Sequence, residues 1–216
     1  MAFTGDEGVA GAWPELPGLP PIGPTGEEPK PGPRLLIPAG AALVLLAGLL
    51  AVPWHVRGDS LFTVAGLISD QRARDIGDMY ALYLAIPLGV LGALVGFAGA
   101  TDTRLLRWLQ LGAAVLLLGG VGVIGLGVSE ALQPYLLGAV ALGILASVVL
   151  ACLKRLPLRV AAAGYLAGGA VVHLGVLASW DAPWLAGLAY LPALGYLVGA
   201  AGAAIGPRYV PAFRQL

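Results

Sequence analysis

Six long apolar runs follow one another from residue 35 onward; a more polar loop separates the first two, and short polar breaks separate the others. A helix needs about 20 mostly apolar residues to cross the hydrocarbon core of a bilayer, and each run reaches that length. The pattern predicts an all-α integral membrane protein, with a six-helix transmembrane bundle over residues 34–207. The predicted spans are 35–54, 79–100, 106–128, 134–153, 158–179 and 184–206.

The two ends of the chain lack this pattern. Residues 1–33 contain eight prolines and no apolar core of the length that a secretory signal requires. Such a segment buries too little apolar surface to fold, so we expect a disordered, Pro-rich cytoplasmic tail with polyproline II character. Residues 208–216 are expected to form a short cytoplasmic C-terminal tail.

The distribution of basic residues predicts the orientation of the spans. Nine basic residues fall on one side: Lys30, Arg34, Arg104, Arg107, Lys154, Arg155, Arg159, Arg208 and Arg214. The other side has three, which are Arg57, Arg72 and Arg74. Because cytoplasmic loops carry the excess of Lys and Arg, both termini are predicted to be cytoplasmic.

Composition supports a membrane and excludes several function classes. Hydrophobic residues make up 58% of the chain and charged residues 11%, whereas soluble domains have about 25% charged residues. A net charge of zero gives no reason to expect a nucleic-acid partner. A single cysteine excludes a disulfide framework. Arginine far outnumbers lysine among many Ala, Gly, Leu and Val residues, which hints at a GC-rich genome and a bacterial cytoplasmic (inner) membrane.

The predicted outward loop 54–78 holds most of the candidate contact residues. Asp59 and Ser60 are placed to cap a short amphipathic helix that begins at Leu61. Three interpretations of this segment are open: a solvated cap over the bundle, a lid over a ligand cavity, or a docking surface for a partner protein. The candidate ligand or partner contacts in it are His55, Arg57, Asp59, Arg72, Arg74, Asp75 and Asp78.

His173 is the main ionisable candidate inside a predicted span. Such residues are costly in hydrocarbon and often mark functional pathways. Three interpretations of His173 are open: a ligand contact, a proton carrier, or the donor of one interhelical hydrogen bond. The sequence shows no serine–histidine pair for proteolysis and no acidic cluster free of arginines for metal-dependent chemistry. We therefore predict no catalytic residues, no metal site and no cofactor.

Glycines four residues apart predict where the spans pack. Without a hydrophobic force between helices in lipid, small residues allow the close backbone approach on which association depends. The predicted packing positions are Gly92, Gly96, Gly164, Gly168, Gly195 and Gly199. Packing within the chain is the main reading, and contact between copies in a homo-oligomer is the alternative.

These features lead to two functional hypotheses. The first is a non-catalytic, multi-pass accessory or scaffold subunit of a larger membrane complex, whose partners are the lipid bilayer and other membrane subunits. The second is a small-solute transporter or substrate-capturing membrane component with the 54–78 loop as its lid. The second rests on topology alone, which is a weak basis for function.

The orientation can be tested by labelling introduced cysteines in a Cys152→Ala background. We expect Lys154→Cys to react with a membrane-impermeant maleimide only after the membrane is opened, because its loop is predicted to be cytoplasmic. Arg72→Cys should react in intact cells. Labelling of Lys154→Cys from outside would overturn the predicted orientation.

Overall fold

A computed structural model describes residues 35–52, 55–57, 60–62, 75–101, 103–126, 129–179 and 186–205. At 55–57 and 60–62 the description concerns the backbone. The predicted tails, 1–33 and 208–216, lie outside the described residues.

Each predicted apolar run corresponds to helical structure. The described helices are α1 (Leu36–Leu50), α2 (Ile76–Thr101), α3 (Arg104–Gly125), α4 (Gln133–Cys152), α5 (Arg155–Ser179), α6 (Ala186–Ala189) and α7 (Leu191–Ile205). Segments within α2, α3, α4 and α5 are long and apolar enough to cross a membrane, while α1 and α7 are shorter apolar helices. The helical class is therefore shown, and four candidate spans indicate a membrane protein.

The segment after α1 differs from the prediction. His55–Arg57 (β1) and Ser60–Phe62 (β2) pair as antiparallel strands, with Arg57 opposite Ser60. The predicted start of a helix at Leu61 is therefore wrong, because Leu61 lies in strand β2. The dipeptide between the paired residues is Gly58-Asp59, and glycine followed by a polar residue favours two-residue hairpin turns.

Four helices, α1, α2, α5 and α7, form the core of the bundle. Helix α7 packs against all three others, while α1 and α5 each also pack against α2. The hairpin of α3 and α4 joins this core mainly through packing of α3 on α2. Helices α4 and α5 are consecutive in the chain but make little contact with each other.

Glycines in α7 bring its backbone against α1. A Cβ at Gly195 would lie 2.5 Å from the backbone nitrogen of Leu45, and one at Gly202 would lie 2.8 Å from Cγ2 of Ile37. Residue numbers rise along α7 as they fall along α1, so the two helices are antiparallel. Only glycine at 195 permits this approach without a shift of the α1 backbone.

The other predicted packing glycines have different surroundings. A Cβ at Gly92 would meet the Tyr196 ring at 2.8 Å. A Cβ at Gly96 would lie 3.8 Å from the Leu166 side chain, and one at Gly199 would lie 3.5 Å from it; both are ordinary van der Waals distances. Gly164 and Gly168 meet no atom within 4 Å, so their expected packing within the chain is not seen among the described residues.

Replacing Gly195 by alanine tests this contact. Gly195→Ala should lower the free energy of unfolding by about 1–3 kcal/mol, because the added methyl group forces two backbones apart. The matched control is Gly164→Ala, which should not lower it, because the new methyl group meets nothing and alanine favours a helix by up to about 1 kcal/mol over glycine. Reversible unfolding in mixed detergent micelles measures both. Equal effects of the two variants would contradict the packing described.

Candidate functional site

Four polar side chains are almost completely excluded from the surface of the described structure: Asp78, Gln110, Ser147 and His173. Asp78 and His173 lie near the end of the core bundle where α2 begins and α5 ends. Gln110 and Ser147 belong to the α3–α4 hairpin. Because buried ionisable groups in membrane helices usually have a function, the first pair defines the candidate site.

Asp75 determines where α2 starts. Its side chain accepts a hydrogen bond from the backbone N–H of Asp78 through Oδ1 at 2.7 Å, and its own backbone is extended. This is an N-cap, so the helix begins at Ile76, three residues before the predicted span. Residues 76–78 therefore belong to α2 and not to the loop. An aspartate followed three residues later by another acid was the sequence signal for this start.

The early start carries Asp78 into the protein interior. Asp75 remains exposed, whereas Asp78 is 3% exposed. Asp75 and Asp78 were both expected in the outward loop, and for Asp78 that placement is corrected to a buried position in the first turn of α2. The site thus contains a carboxyl group at helix depth, which the sequence reading had not placed there.

A π-helical turn follows directly, at Tyr80–Leu84. Within it, the backbone N–H of Ala85 donates to the carbonyl oxygen of Tyr80. Pro87 lies three residues beyond Leu84, and proline lacks an N–H and crowds the carbonyl four residues earlier, which is that of Tyr83. The wider turn relieves that crowding. Such turns often occur at functional sites, and here one carries Tyr80 into the core.

His173 connects three elements of the site. Its ring centroid lies 6.2 Å from that of Tyr80, with the planes tilted by 58°. Its Nε2 lies 3.1 Å from the carbonyl oxygen of Ala189. A carbonyl only accepts, so Nε2 carries the proton and donates. His173 therefore holds α6 against the end of α5 while its ring packs against α2.

Two further tyrosines extend the polar cluster along α5. The Tyr196 ring lies over Gly92 and Gly169, where a Cβ would stand 2.8 Å and 2.7 Å from it. The hydroxyl of Tyr165 is buried and has no hydrogen-bond partner among the described residues. Tyr196 also lies beside Leu45 and Leu166 around Gly92, so its ring fills the middle of the core bundle.

The candidate residues predicted from sequence are only partly brought together. Asp75, Asp78 and His173 lie at the same end of the bundle. His55 and Arg57 belong to strand β1, described by its backbone, and Asp59, Arg72 and Arg74 lie outside the described residues. Tyr80 and Gln110 were missed, because a polar residue among apolar neighbours does not reveal which face of its helix is buried.

The chemistry available at this end is hydrogen bonding and proton exchange by a carboxyl group, an imidazole and phenols. Within the described ranges, no group of three His, Cys, Asp or Glu side chains is arranged to hold a metal ion. The hydrogen bond from His173 has a clear structural role, since it ties α5 to α6.

Replacing His173 tests that role. His173→Leu should lower the free energy of unfolding by about 1 kcal/mol or more, because the Ala189 carbonyl loses its donor in a buried setting. His173→Gln supplies an amide donor and should recover part of the loss. Thermal unfolding in detergent, followed by circular dichroism, measures both variants. If leucine and glutamine behaved alike, the hydrogen bond would not be the source of the stability.

Comparisons with known proteins do not assign the chain to a family. No protein-family model, no curated protein and no solved structure matches it. The functional argument therefore rests on the fold class and on the positions of the polar and small residues described above.

Proposed function

We propose that this chain is a non-catalytic accessory or scaffold subunit of a larger complex in a cell membrane. It crosses the bilayer six times, with both termini in the cytoplasm. The four long apolar helices provide four of the crossings, and the two shorter helices, α1 and α7, provide the first and the last.

The combined length of α6 and α7 supports a sixth crossing. The N–H of Leu194 donates to the carbonyl oxygen of Tyr190 at 3.0 Å as α7 begins, and Tyr190 directly follows the end of α6 at Ala189. Twenty residues, 186–205, extend over roughly 30 Å as a helix, which matches the hydrocarbon thickness. With six crossings, the nine basic residues counted above all fall on the same side, as the positive-inside rule requires.

Open glycine faces carry the proposal for an assembly role. Glycines whose added Cβ would meet no described atom within 4 Å are Gly40 in α1, Gly112, Gly119 and Gly120 in α3, Gly138 in α4, and Gly164, Gly168 and Gly175 in α5. Gly164 and Gly168 are one turn apart on the same face of α5. Lipid-facing positions gain nothing from glycine, whereas a partner helix packs closely on such a surface.

Capture of a small polar solute is the second candidate. The buried Asp78, Tyr80 and His173 favour it, because they offer both donors and acceptors at helix depth. The filled middle of the bundle favours the scaffold role, since Tyr196 and Leu166 occupy the path that a solute would follow between the core helices.

Native mass spectrometry of the chain extracted from its own membrane distinguishes the two candidates. We expect it to carry at least one other membrane protein, and we expect Gly164→Leu/Gly168→Leu to lose that partner, because leucine side chains fill the open face of α5. Gly40→Leu is the control, since Gly40 also meets nothing within 4 Å but lies on α1.

The remaining outcomes are informative. A homodimer that Gly164→Leu/Gly168→Leu disrupts would favour self-association through the same face. A lone monomer with a bound small molecule would favour solute capture. A lone monomer with nothing bound would contradict both proposals.

A further inference from the structure

Helices α4 and α5 separate after the short connection that joins them. Helix α4 ends at Cys152 and α5 begins at Arg155, so the two helices share one end. Helix α4 then packs on α3, whereas α5 packs on α2 and α7. Apolar side chains on both stay exposed, among them Leu145 and Val149 of α4 and Val160 of α5. Because α4 and α5 diverge from their connection, the space between them narrows toward Lys154; we call this space the wedge and its narrow end at Lys154 the apex.

Basic side chains from α3, α5 and their connections gather at that apex. The guanidinium of Arg107 in α3 donates from Nη1 to the carbonyl oxygen of Leu153, which places it beside the α4–α5 connection. Lys154 is exposed in that connection. Arg159 lies one turn into α5, and its Nε is buried without a hydrogen-bond partner in the described part of the chain.

Two helix starts add positive potential at the same end. Helix α3 begins at Arg104 after Thr103, whose side chain makes no capping hydrogen bond, and its first turn contains no acid. The first turn of α5 likewise contains no acid. The first N–H groups of a helix carry partial positive charge and favour anions. In the sequence of residues 101–107 and 153–159, Asp102 is the one acid against five basic residues, Arg104, Arg107, Lys154, Arg155 and Arg159.

Hydrogen-bond donors continue from the apex into the hairpin. Gln110 follows Arg107 by one turn on the same face of α3, and its Nε2 is buried without a hydrogen-bond partner among the described residues. Buried polar atoms in proteins are nearly always hydrogen-bonded, so an unpaired donor requires an explanation. An acceptor from outside the chain, such as a phosphate oxygen or a water bound to it, explains the Nε of Arg159 and the amide of Gln110 together.

We propose that the apex formed by Arg107, Lys154 and Arg159 binds the phosphate of an anionic phospholipid, whose acyl chains lie between α4 and α5. A lipid fits better than free phosphate because the apolar sides of the wedge need a hydrocarbon occupant. Basic pockets between membrane helices on the cytoplasmic side recognise lipid head groups in this manner. The site is separate from the cluster of Asp78 and His173 and does not depend on the scaffold role.

Fluorescence of Trp108 provides a test with the full chain. Trp108 follows Arg107 and is 67% exposed, so a lipid bound at the apex lies close to its ring. The chain is placed in nanodiscs of phosphatidylcholine that contain the same fraction of either brominated phosphatidylglycerol or brominated phosphatidylcholine. The signal of Trp108 is the difference between the wild type and Trp108→Phe. We expect brominated phosphatidylglycerol to quench it several-fold more strongly.

Charge variants identify the residues responsible. Each basic residue near a membrane surface contributes about a fivefold preference for anionic lipid, so Lys154→Gln/Arg159→Gln should remove most of the effect. Arg208→Gln/Arg214→Gln is the matched control, because it removes two cations from the same predicted side but not from the apex. Arg159→Lys keeps the charge and should keep the preference. Circular dichroism and gel filtration establish that each variant is folded.

Three results would overturn the proposal. The first is equal quenching by the two brominated lipids in the wild type. The second is an undiminished preference in folded Lys154→Gln/Arg159→Gln. The third is recovery of Trp108 fluorescence on addition of inorganic phosphate at constant ionic strength, which would assign the apex to free phosphate and not to a lipid.

Discussion

Close backbone contact between α7 and its neighbours is the constraint on which the described bundle depends. In hydrocarbon, apolar side chains gain nothing by leaving the lipid, so helices associate through dispersion contacts at short range and through hydrogen bonds. Gly195 allows α7 to touch the backbone of α1 at Leu45. The next residue, Tyr196, lies over Gly92 of α2 and Gly169 of α5. Two consecutive positions of α7 therefore connect the three other core helices.

This central position of α7 explains the less symmetrical features of the fold. Because the core is closed by α1, α2, α5 and α7, the α3–α4 hairpin packs on its outside and reaches it through α2. Helices α4 and α5 then diverge, and Gly138 of α4 and Gly164 and Gly168 of α5 have no described atom within 4 Å of an added Cβ. Small residues therefore lie on the outside of the bundle as well as at its helix contacts. These open positions are the physical basis of the assembly role proposed for this chain.

The two ends of the bundle differ in their chemistry. At one end, Asp78, Tyr80 and His173 lie inside the protein, where a cap at Asp75 and a π-helical turn position the first two. At the other end, basic side chains surround the α4–α5 connection and two helix starts. The first group acts through hydrogen bonds between helices, of which His173 to Ala189 is the example. The second carries net positive charge, which is the basis of the lipid site proposed there.

The sequence by itself determined the helical membrane class and the approximate extent of each apolar helix. A helix in hydrocarbon requires a long uninterrupted run of apolar residues, and such runs are visible in the order of residues along the chain. It also identified Asp75, Asp78 and His173 as candidates and Gly92 and Gly195 as small positions within helices. Only the tertiary structure decided that Asp78 is buried, that Tyr80 meets His173, and that Gly164 and Gly168 remain open. The reason is physical: hydropathy shows no preferred face in a helix that is apolar all round, so the burial of any one residue depends on which neighbouring helices approach it.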